Sequence, residues 1–399
     1  MRSSNKEVVL GITGSIAAYK ACEIASLLTK RGVAVIPVLT RSAQELIGAA
    51  SLEAVTGRRA ILEMFGAHQN PEVSHIAVAT RASLFLIAPA TANTLAKAAH
   101  GIADDWLSTA LLATRAPVLF APAMNTNMYA HPATQANIET LRGRGCRFVG
   151  PDSGTLACKT VGVGRMSEPQ TVLEAALPLI DGRTDLAGRH VVITSGSTQE
   201  PIDPVRFIGN RSSGKMGRAL ALEALCRGAR VSVISGPAET PLPYGAATTA
   251  VRTAEEMGAA LDRLAPEADV IIGAAAVADY RVSDPAPTKR KRTGAALTLT
   301  LTENPDLIAR VGAARRPGQV VVGFAAETSD LIENGRAKIA AKSLDLILVN
   351  EVGAPDSGFG VDTLRAYVLD AHGDVEELGV AAKADVAVAL FDRICALLA

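Results

Sequence analysis

Thr194 to Gly217, TSGSTQEPIDPVRFIGNRSSGKMG, carries four glycines, two arginines, a lysine and several hydroxyls, with almost nothing that could fill a core. Backbone N–H groups in such turns, backed by Arg or Lys, suit phosphate, so the stretch reads as a nucleotide or phosphate site. A loop this long is uncommon in a compact domain unless it binds something. Within it, Gly209-Asn-Arg-Ser-Ser-Gly214-Lys215 has P-loop spacing up to the last position, where Met216 replaces the Ser or Thr that would ligate magnesium. That match reads as coincidence. Further on stands Lys289-Arg-Lys-Arg-Thr293. Charges this dense belong on a solvated flap or around a polyanion, and with a phosphate loop in the same half both readings stay open.

A second glycine turn, Gly11-Ile-Thr-Gly14-Ser15, joins the β-branched run Val8 to Ile12 to helical spacing over Ala17 to Arg31. A phosphate there would sit on a helix N-terminus, and a plain tight turn is an equal reading. The next strand, Val33 to Leu39, ends on Thr40-Arg41-Ser42 rather than on the acid that holds a dinucleotide ribose. Hydroxyls and a cation there suit a mononucleotide phosphate better than NAD. Strands Leu84–Ala88 and Pro117–Ala121 run into Pro89-Ala-Thr-Ala-Asn93 and Pro122-Ala-Met-Asn125. Amides and a hydroxyl at the carboxyl ends of strands are what the edge of a flat polar ring needs.

The elements that position these groups form two α/β patterns. Residues 1–180 read as a flavodoxin-like doubly wound parallel-sheet domain, 181–189 as a polar linker, and 190–399 as a Rossmann-like α/β domain. In the second, strands are expected at His190–Thr194, Val231–Ser235, Asp269–Ala276, Gln319–Phe324, Leu344–Val349 and Ala366–Leu369, with helices at Lys215–Arg227 and Ala381–Leu398. Asn304 reads as the N-cap, Pro305 as the first-turn proline and Asp306 as the first-turn acid of a further helix. Forty basic residues balance forty acidic ones, which argues against nucleic acid or an anionic membrane as partner. Five scattered cysteines, no signal peptide and no bilayer-length apolar run lead to the expectation of a cytoplasmic protein.

Taken together, the chain resembles the bacterial bifunctional proteins in which phosphopantothenoylcysteine decarboxylase is fused to phosphopantothenate–cysteine ligase. The first half carries GSIAAYK at Gly14–Lys20, the histidine of Ser74-His75-Ile76, APATANTLAK at Ala88–Lys97, GIADD at Gly101–Asp105, PAMN at Pro122–Asn125 and LAC at Leu156–Cys158. The second carries the opening loop, AAAVADY at Ala274–Tyr280, the Lys289 flap, NPDLI at Asn304–Ile308 and VGFAAET at Val322–Thr328.

The resemblance implies two reactions in sequence. CTP, with Mg2+ or Mn2+, would activate 4′-phosphopantothenate as an acyl-cytidylate, and the cysteine amine would then displace CMP. Lys289 would support activation and Asn210 the handling of the acyl-cytidylate. Nucleotide contacts would come from Ala274, Ala275, Ala276, Asp279, Asn304, Pro305, Asp306, Leu307, Ile308, Phe324, Lys338 and Lys342, with Asp279 also toward the metal. In the other half, FMN-dependent decarboxylation would give 4′-phosphopantetheine. His75 would be the base, Asn125 would hold the substrate carboxylate, and Cys158 would return a proton to the enethiol. Gly14, Ser15, Ile16, Thr40, Ser42, Thr91, Ala92, Asn93 and Met124 would contact FMN. A homo-oligomer, up to a dodecamer, is implied in the same way.

Plainer readings stand beside these: His75 as a satisfied core histidine, Asn125 as a cap, Cys158 as a small buried apolar residue. Two departures from the family pattern are Lys159 where glycine is usual and Leu364 where asparagine is common. The competing functions are a flavin-binding regulatory subunit of the same fold and a nicotinamide-dependent oxidoreductase. The acid missing after Leu39 disfavours the second.

Overall fold

The computed structural model describes residues 6–65, 74–292, 294, 296–352 and 360–398. The chain divides into two compact units, Met1–Asp181 and Gly182–Ala399.

In the first unit, β1 (Glu7–Ile12), β2 (Ala34–Leu39), β3 (Leu84–Ala90), β4 (Val118–Pro122) and β5 (Arg147–Phe148) form a parallel sheet in the order β2-β1-β3-β4-β5. That is the flavodoxin-like order of a doubly wound sheet. Its strands are near-continuous apolar runs because both faces are covered. Val8, Leu10 and Ile12 face the helices Ala21–Lys30 and Pro169–Asp181, whereas Val9 joins Phe85, Ile87 and Trp106 on the other face. Gly11 lies on that second face, where a Cβ would come within 2.7 Å of Ile87 Cδ1. The expected helix over Ala17–Arg31 is a 3-10 turn, Ile16–Lys20, leading into Ala21–Lys30. A hairpin of β6 (Asp152–Thr155) and β7 (Val161–Arg165) follows β5.

The second unit is built on an eight-stranded sheet. In chain order its strands and the short pairs beside it are β8 (His190–Ser195), β9 (Gln199–Pro201), β10 (Phe207–Gly209), β11 (Arg230–Ser235), β12 (Ala247–Ala250), β13 (Val270–Gly273), β14 (Tyr280–Val282), β15 (Leu301–Glu303), β16 (Val320–Glu327), β17 (Leu346–Glu351), β18 (Thr363–Asp370) and β19 (Val375–Ala382). The sheet order is β12-β11-β8-β13-β16-β17-β18-β19, parallel through β17 and antiparallel thereafter. The six parallel strands follow the Rossmann order, in which direction of travel reverses between the first and fourth. Here those are β8 and β13.

Three expectations need correction. The Asp269–Ala276 strand stops at Gly273, which frees Ala274–Ala276 as loop backbone. Thr194–Gly217 is not an open loop: β9 and β10 pair within it, and Thr198, Glu200 and Asp203 are buried. Those side chains are polar and satisfied by backbone distant in sequence, Glu200 accepting from Ala254 N at 2.9 Å and Thr198 from Ala278 N at 2.9 Å. The closing helix begins at Lys383, since Ala381 and Ala382 still belong to β19.

Residues 182–189 pack onto the second unit. Leu186 is fully buried in its core and Arg183 bridges Glu223 at 3.2 Å. Among the described residues no helix is long and apolar enough to cross a membrane.

Candidate functional site

The second unit holds a cleft of about 790 Å³ at the carboxyl edge of its sheet. Its floor is the switch point. Thr194 Oγ1, at the end of β8, accepts from Ala275 N at 3.2 Å, and Ser197 pairs with Ala276 across the two loops. Ala274, Ala275 and Ala276 line the cleft with main chain and methyl groups only, so a flat ring can approach the backbone. Asn210 Nδ2 donates to Val277 O at 2.9 Å, and Asn304 Nδ2 donates to Ala278 O at 2.8 Å. Both amides thus clamp the same post-β13 loop, which carries Asp279.

The far wall comes from two helices. Asp306, rather than the expected Asn304, caps Leu307–Ala314 by accepting from Ala309 N at 3.0 Å, and Lys342, at the end of Leu331–Lys342, donates to Asp306 Oδ2 at 2.9 Å. Burial would raise the Asp306 pKa, but the Ala309 N–H and the Lys342 ammonium hold it below the usual carboxylate range. Lys338 pairs with Glu327, and Pro305, Leu307, Ile308 and Phe324 supply apolar wall. The helices approach closely at Gly312, where a Cβ would lie 2.1 Å from Lys342 O.

Thus Asn210, Ala274–Ala276, Asp279, Asn304–Ile308, Phe324, Lys338 and Lys342 line one cavity. Lys289 does not line it. It is exposed, on a flap whose anchor is Asp203. The Asp203 carboxylate accepts from Val205 N and Arg206 N at 2.9 Å and from Arg290 N at 3.2 Å, and Arg206 Nη2 donates to Arg290 O at 2.9 Å. The Arg206 guanidinium holds the Asp203 pKa far below its ordinary value, so the anchor stays ionised. This ties the flap to the turn that leads through β10 to Asn210. Asp279 is exposed, and no group of three or more metal-ligating side chains occurs among the described residues.

The first unit has a cleft of about 470 Å³. Ser15 and Ile16 enter it from the turn after β1, Met124 and Asn125 from the loop after β4, and Cys158 from the hairpin. Gly164, in β7, lies against Met124 O, where a Cβ would sit at 2.3 Å. The hairpin therefore closes over the Met124-Asn125 loop. Asn125 Nδ2 lies 3.4 Å from Cys158 Sγ, and Thr160 Oγ1 lies 3.0 Å from the same sulfur. The hydrogen bond with Thr160, then that with Asn125, lowers the pKa of the Cys158 thiol. Cys158 is exposed rather than a buried apolar filler, and Asn125 does cap the next helix, accepting from Asn127 N at 2.8 Å.

The remaining residues expected in this half lie outside the cleft wall. Thr13 Oγ1 donates to Pro89 O at 2.7 Å and accepts from Thr91 N at 3.0 Å, stitching the loops after β1 and β3 at this sheet's switch point. Thr91, Ala92 and Asn93 start the helix there, and Ser42 fills the space beside Gly14, 2.5 Å from where its Cβ would be. Thr40 stands in the N-cap position of the short helix Arg41–Gln44, with no side-chain capping bond, its hydroxyl donating instead to Ile12 O at 3.4 Å. His75 is half-buried in the first turn of the helix His75–Arg81, behind the Ser74 cap, and does not share the cleft of Asn125 and Cys158.

Sequence reasoning missed Lys20, Thr155 and Arg165 in the first cleft, and Lys215, Asn350, Leu364 and Lys383 in the second. Leu364, left without a role, is a buried wall residue on β18.

Comparison with known proteins covers both units. The family described as Flavoprotein matches residues 1–180, and the DNA/pantothenate metabolism flavoprotein C-terminal domain matches 186–398. The chain is 42% identical over 398 residues to the coenzyme A biosynthesis bifunctional protein CoaBC of Bacillus subtilis, covering 99% of this chain and 98% of that one. It is 42% identical over 377 residues to the same-named protein of Escherichia coli, covering 94% and 93%. Among solved structures, the C-terminal domain of a coenzyme A biosynthesis bifunctional protein CoaBC aligns at 32% identity and TM-score 0.47, covering 54% of this chain and 98% of that one.

Proposed function

This chain belongs to the CoaBC family of coenzyme A biosynthesis bifunctional proteins, and we propose that its two units carry out successive reactions. The Gly182–Ala399 unit ligates cysteine to 4′-phosphopantothenate with CTP, and the Met1–Asp181 unit decarboxylates the product to 4′-phosphopantetheine. The observation that carries this reading is one chain, similar to bifunctional relatives over nearly its full length, with a cleft at the carboxyl edge of each of two doubly wound sheets.

In the ligase, a carboxylate oxygen of the acid attacks the α-phosphorus of CTP and the bond to pyrophosphate breaks. The cysteine amine then attacks the acyl carbon, and CMP leaves with the bonding electrons. The Ala274–Ala276 backbone and Phe324 cradle the base, while Lys338 and Lys342 face the polar part of the nucleotide. Mg2+ or Mn2+ would be held by phosphate oxygens with Asp279, as octahedral magnesium at nucleotide sites commonly is. Lys289 acts by flap closure, since positive charge counts most on the leaving pyrophosphate. Asn210 orients the acyl-cytidylate from the loop it already clamps.

The first cleft suits FMN. It combines an apolar floor of Ile16, Ala123, Met124 and Leu156 with amide and hydroxyl edges from Asn125, Ser15 and Thr155, and with Lys20 and Arg165 as cations. Bound FMN supplies the oxidation at the cysteinyl thiol carbon and its later reversal. Asn125 holds the substrate carboxylate, and Cys158, its thiol already shifted toward neutral, delivers a proton to the enethiol carbon after carbon dioxide leaves. His75 acts as base. The large apolar residues exposed on this unit, Ile16, Tyr19, Phe65, Ile76 and Val161 among them, support a homo-oligomer built through it.

The test is product analysis after mixing the protein with phosphopantothenate, cysteine and each nucleoside triphosphate in turn. CTP-dependent pyrophosphate release and carbon dioxide release are expected. The variant His75→Asn should stop the second and spare the first, and loss of both in a folded protein refutes two independent sites.

A further inference from the structure

Asn304 is released from helix capping, which Asp306 performs, and its polar groups are spent on the neighbouring loop. Its main-chain N–H donates to Asp279 O and its Nδ2 to Ala278 O, both at 2.8 Å. Asn210 Nδ2 holds Val277 O at 2.9 Å, so the carbonyls of three successive residues are tied. Ala278 N is held as well, by Thr198 Oγ1 at 2.9 Å. Asp279, which lines the cavity, thus has its own carbonyl and the one before it bracketed by a single residue, Asn304.

Arg281 stands behind this bracket. It is half-buried and does not line the cavity, whereas its neighbours Tyr280, Glu303 and Asn304 do. β14 and β15 pair antiparallel with Arg281 opposite Thr302, so Asn304, two residues further on, is a diagonal neighbour within reach of a long side chain. Arg281 Nη1 donates to Glu303 O at 2.8 Å and to Asn304 Oδ1 at 3.1 Å. A guanidinium has donors only, so the amide atom that faces it must be oxygen, and the nitrogen is then turned to Ala278 O. The opposite flip would set the amide NH2 against the guanidinium and the amide oxygen against the Ala278 carbonyl. No carboxylate pairs with Arg281 among the described residues. Its charge strengthens the two bonds to neutral oxygens instead.

We propose that Arg281 is a positioning residue of the ligase: from outside the cavity it fixes the Asn304 amide, and through it the loop that presents Asp279 to the nucleotide. The inference deepens the ligase reading and takes from it that CTP occupies this cavity. Without Arg281 the amide is free to turn, the Ala278 carbonyl loses its donor, and the nucleotide must order the loop as it binds. The loss therefore falls on nucleotide binding more than on turnover.

The experiment measures pyrophosphate release and calorimetric CTP binding for wild type, Arg281→Met, Asn304→Ala and the double variant. Arg281→Met should raise both the KM and the Kd for CTP by about fivefold or more, with kcat changed less. In the Asn304→Ala background the same substitution should add less than about twofold, because the group it acts through is gone. A smaller rise in the single variant overturns the proposal. So does an equal loss in both backgrounds, which is what general loosening of the β14–β15 pair would give. Should Arg281→Met fail to fold, Arg281→Lys, which keeps the charge and loses the planar fork, is carried through the same cycle with the same criteria. A wild type that neither binds CTP nor releases pyrophosphate refutes the ligase reading, and the role of Arg281 falls with it. A wild type that does both, beside an unaffected Arg281→Met, refutes the role of Arg281 alone.

Discussion

Gly312→Ala tests whether the nucleotide wall is set by helix packing. Gly312 lies in the helix Leu307–Ala314, and a Cβ built there meets Lys342 O at 2.1 Å and Ser343 O at 3.1 Å. Both neighbours are main chain, so no side chain can swing away. Restoring an ordinary contact requires the helices to part by roughly 1 Å, and overpacking of this kind costs about 1–3 kcal/mol. Alanine returns about 1 kcal/mol through its better helix propensity. The net loss of about 1 kcal/mol lowers the melting temperature of a unit this size by about 2–4 °C. The effect on function is larger. The shift moves Lys342 away from Asp306, now 2.9 Å apart, and takes with it the wall that Asn304–Ile308 form. A displacement near 1 Å at a binding wall can cost about 100-fold. We expect kcat/KM for CTP to fall by about 10- to 100-fold, with decarboxylation of phosphopantothenoylcysteine unchanged. The measurement is pyrophosphate release against CTP concentration, beside a melting curve. A variant that melts at or above wild type with unaltered kcat/KM would refute the reasoning.

Two further outcomes concern the hairpin over the smaller cleft. Thr160→Val removes the largest influence lowering the Cys158 pKa, so the pH profile of thiol alkylation should move to higher pH, and an unmoved profile shows that Thr160 does not tune the sulfur. Lys159 has φ +65°, a left-handed conformation that costs a side-chain-bearing residue about 1 kcal/mol. Lys159→Gly should therefore raise the melting temperature of the flavin unit slightly, the gain being trimmed by the added freedom of the unfolded chain, and a clear drop would contradict it.

That same residue shows what could be read from the sequence and what could not. The sequence marked Lys159 only as a departure from the family pattern, and its left-handed backbone in the turn Leu156–Lys159, closed by Lys159 N to Leu156 O at 2.8 Å, emerged from the structure. Both parallel sheets were legible because their strands are apolar runs covered on two faces. β19, VEELGVAA, was not, since it is an edge strand with two adjacent glutamates, a glycine and no buried residue, so it carries neither alternation nor an apolar run. The interior of Thr194–Gly217 was missed for a different reason. Thr198, Glu200 and Asp203 are buried through hydrogen bonds to distant backbone, at Ala278, Ala254 and Arg290, and hydrophobic periodicity carries no trace of such partners.

The placement of Lys215 and Lys289 turns on the same limit. By spacing alone Lys215 belonged to a failed P-loop, and charge density left Lys289 open between a solvated flap and a polyanion site. The fold puts Lys215 in the cavity wall and Lys289 on a flap anchored through Asp203, outside it. Motif spacing reports distance along the chain, whereas electrostatic work depends on distance through space. A single carboxylate, Asp203, accepts N–H groups from both the turn before Asn210 and the flap after Lys289, so loop and flap are tied at one point. Closure then needs no new element. Rotation of the flap about that anchor would carry Lys289 toward a bound polyphosphate while Asn210 keeps its hold on Val277 O.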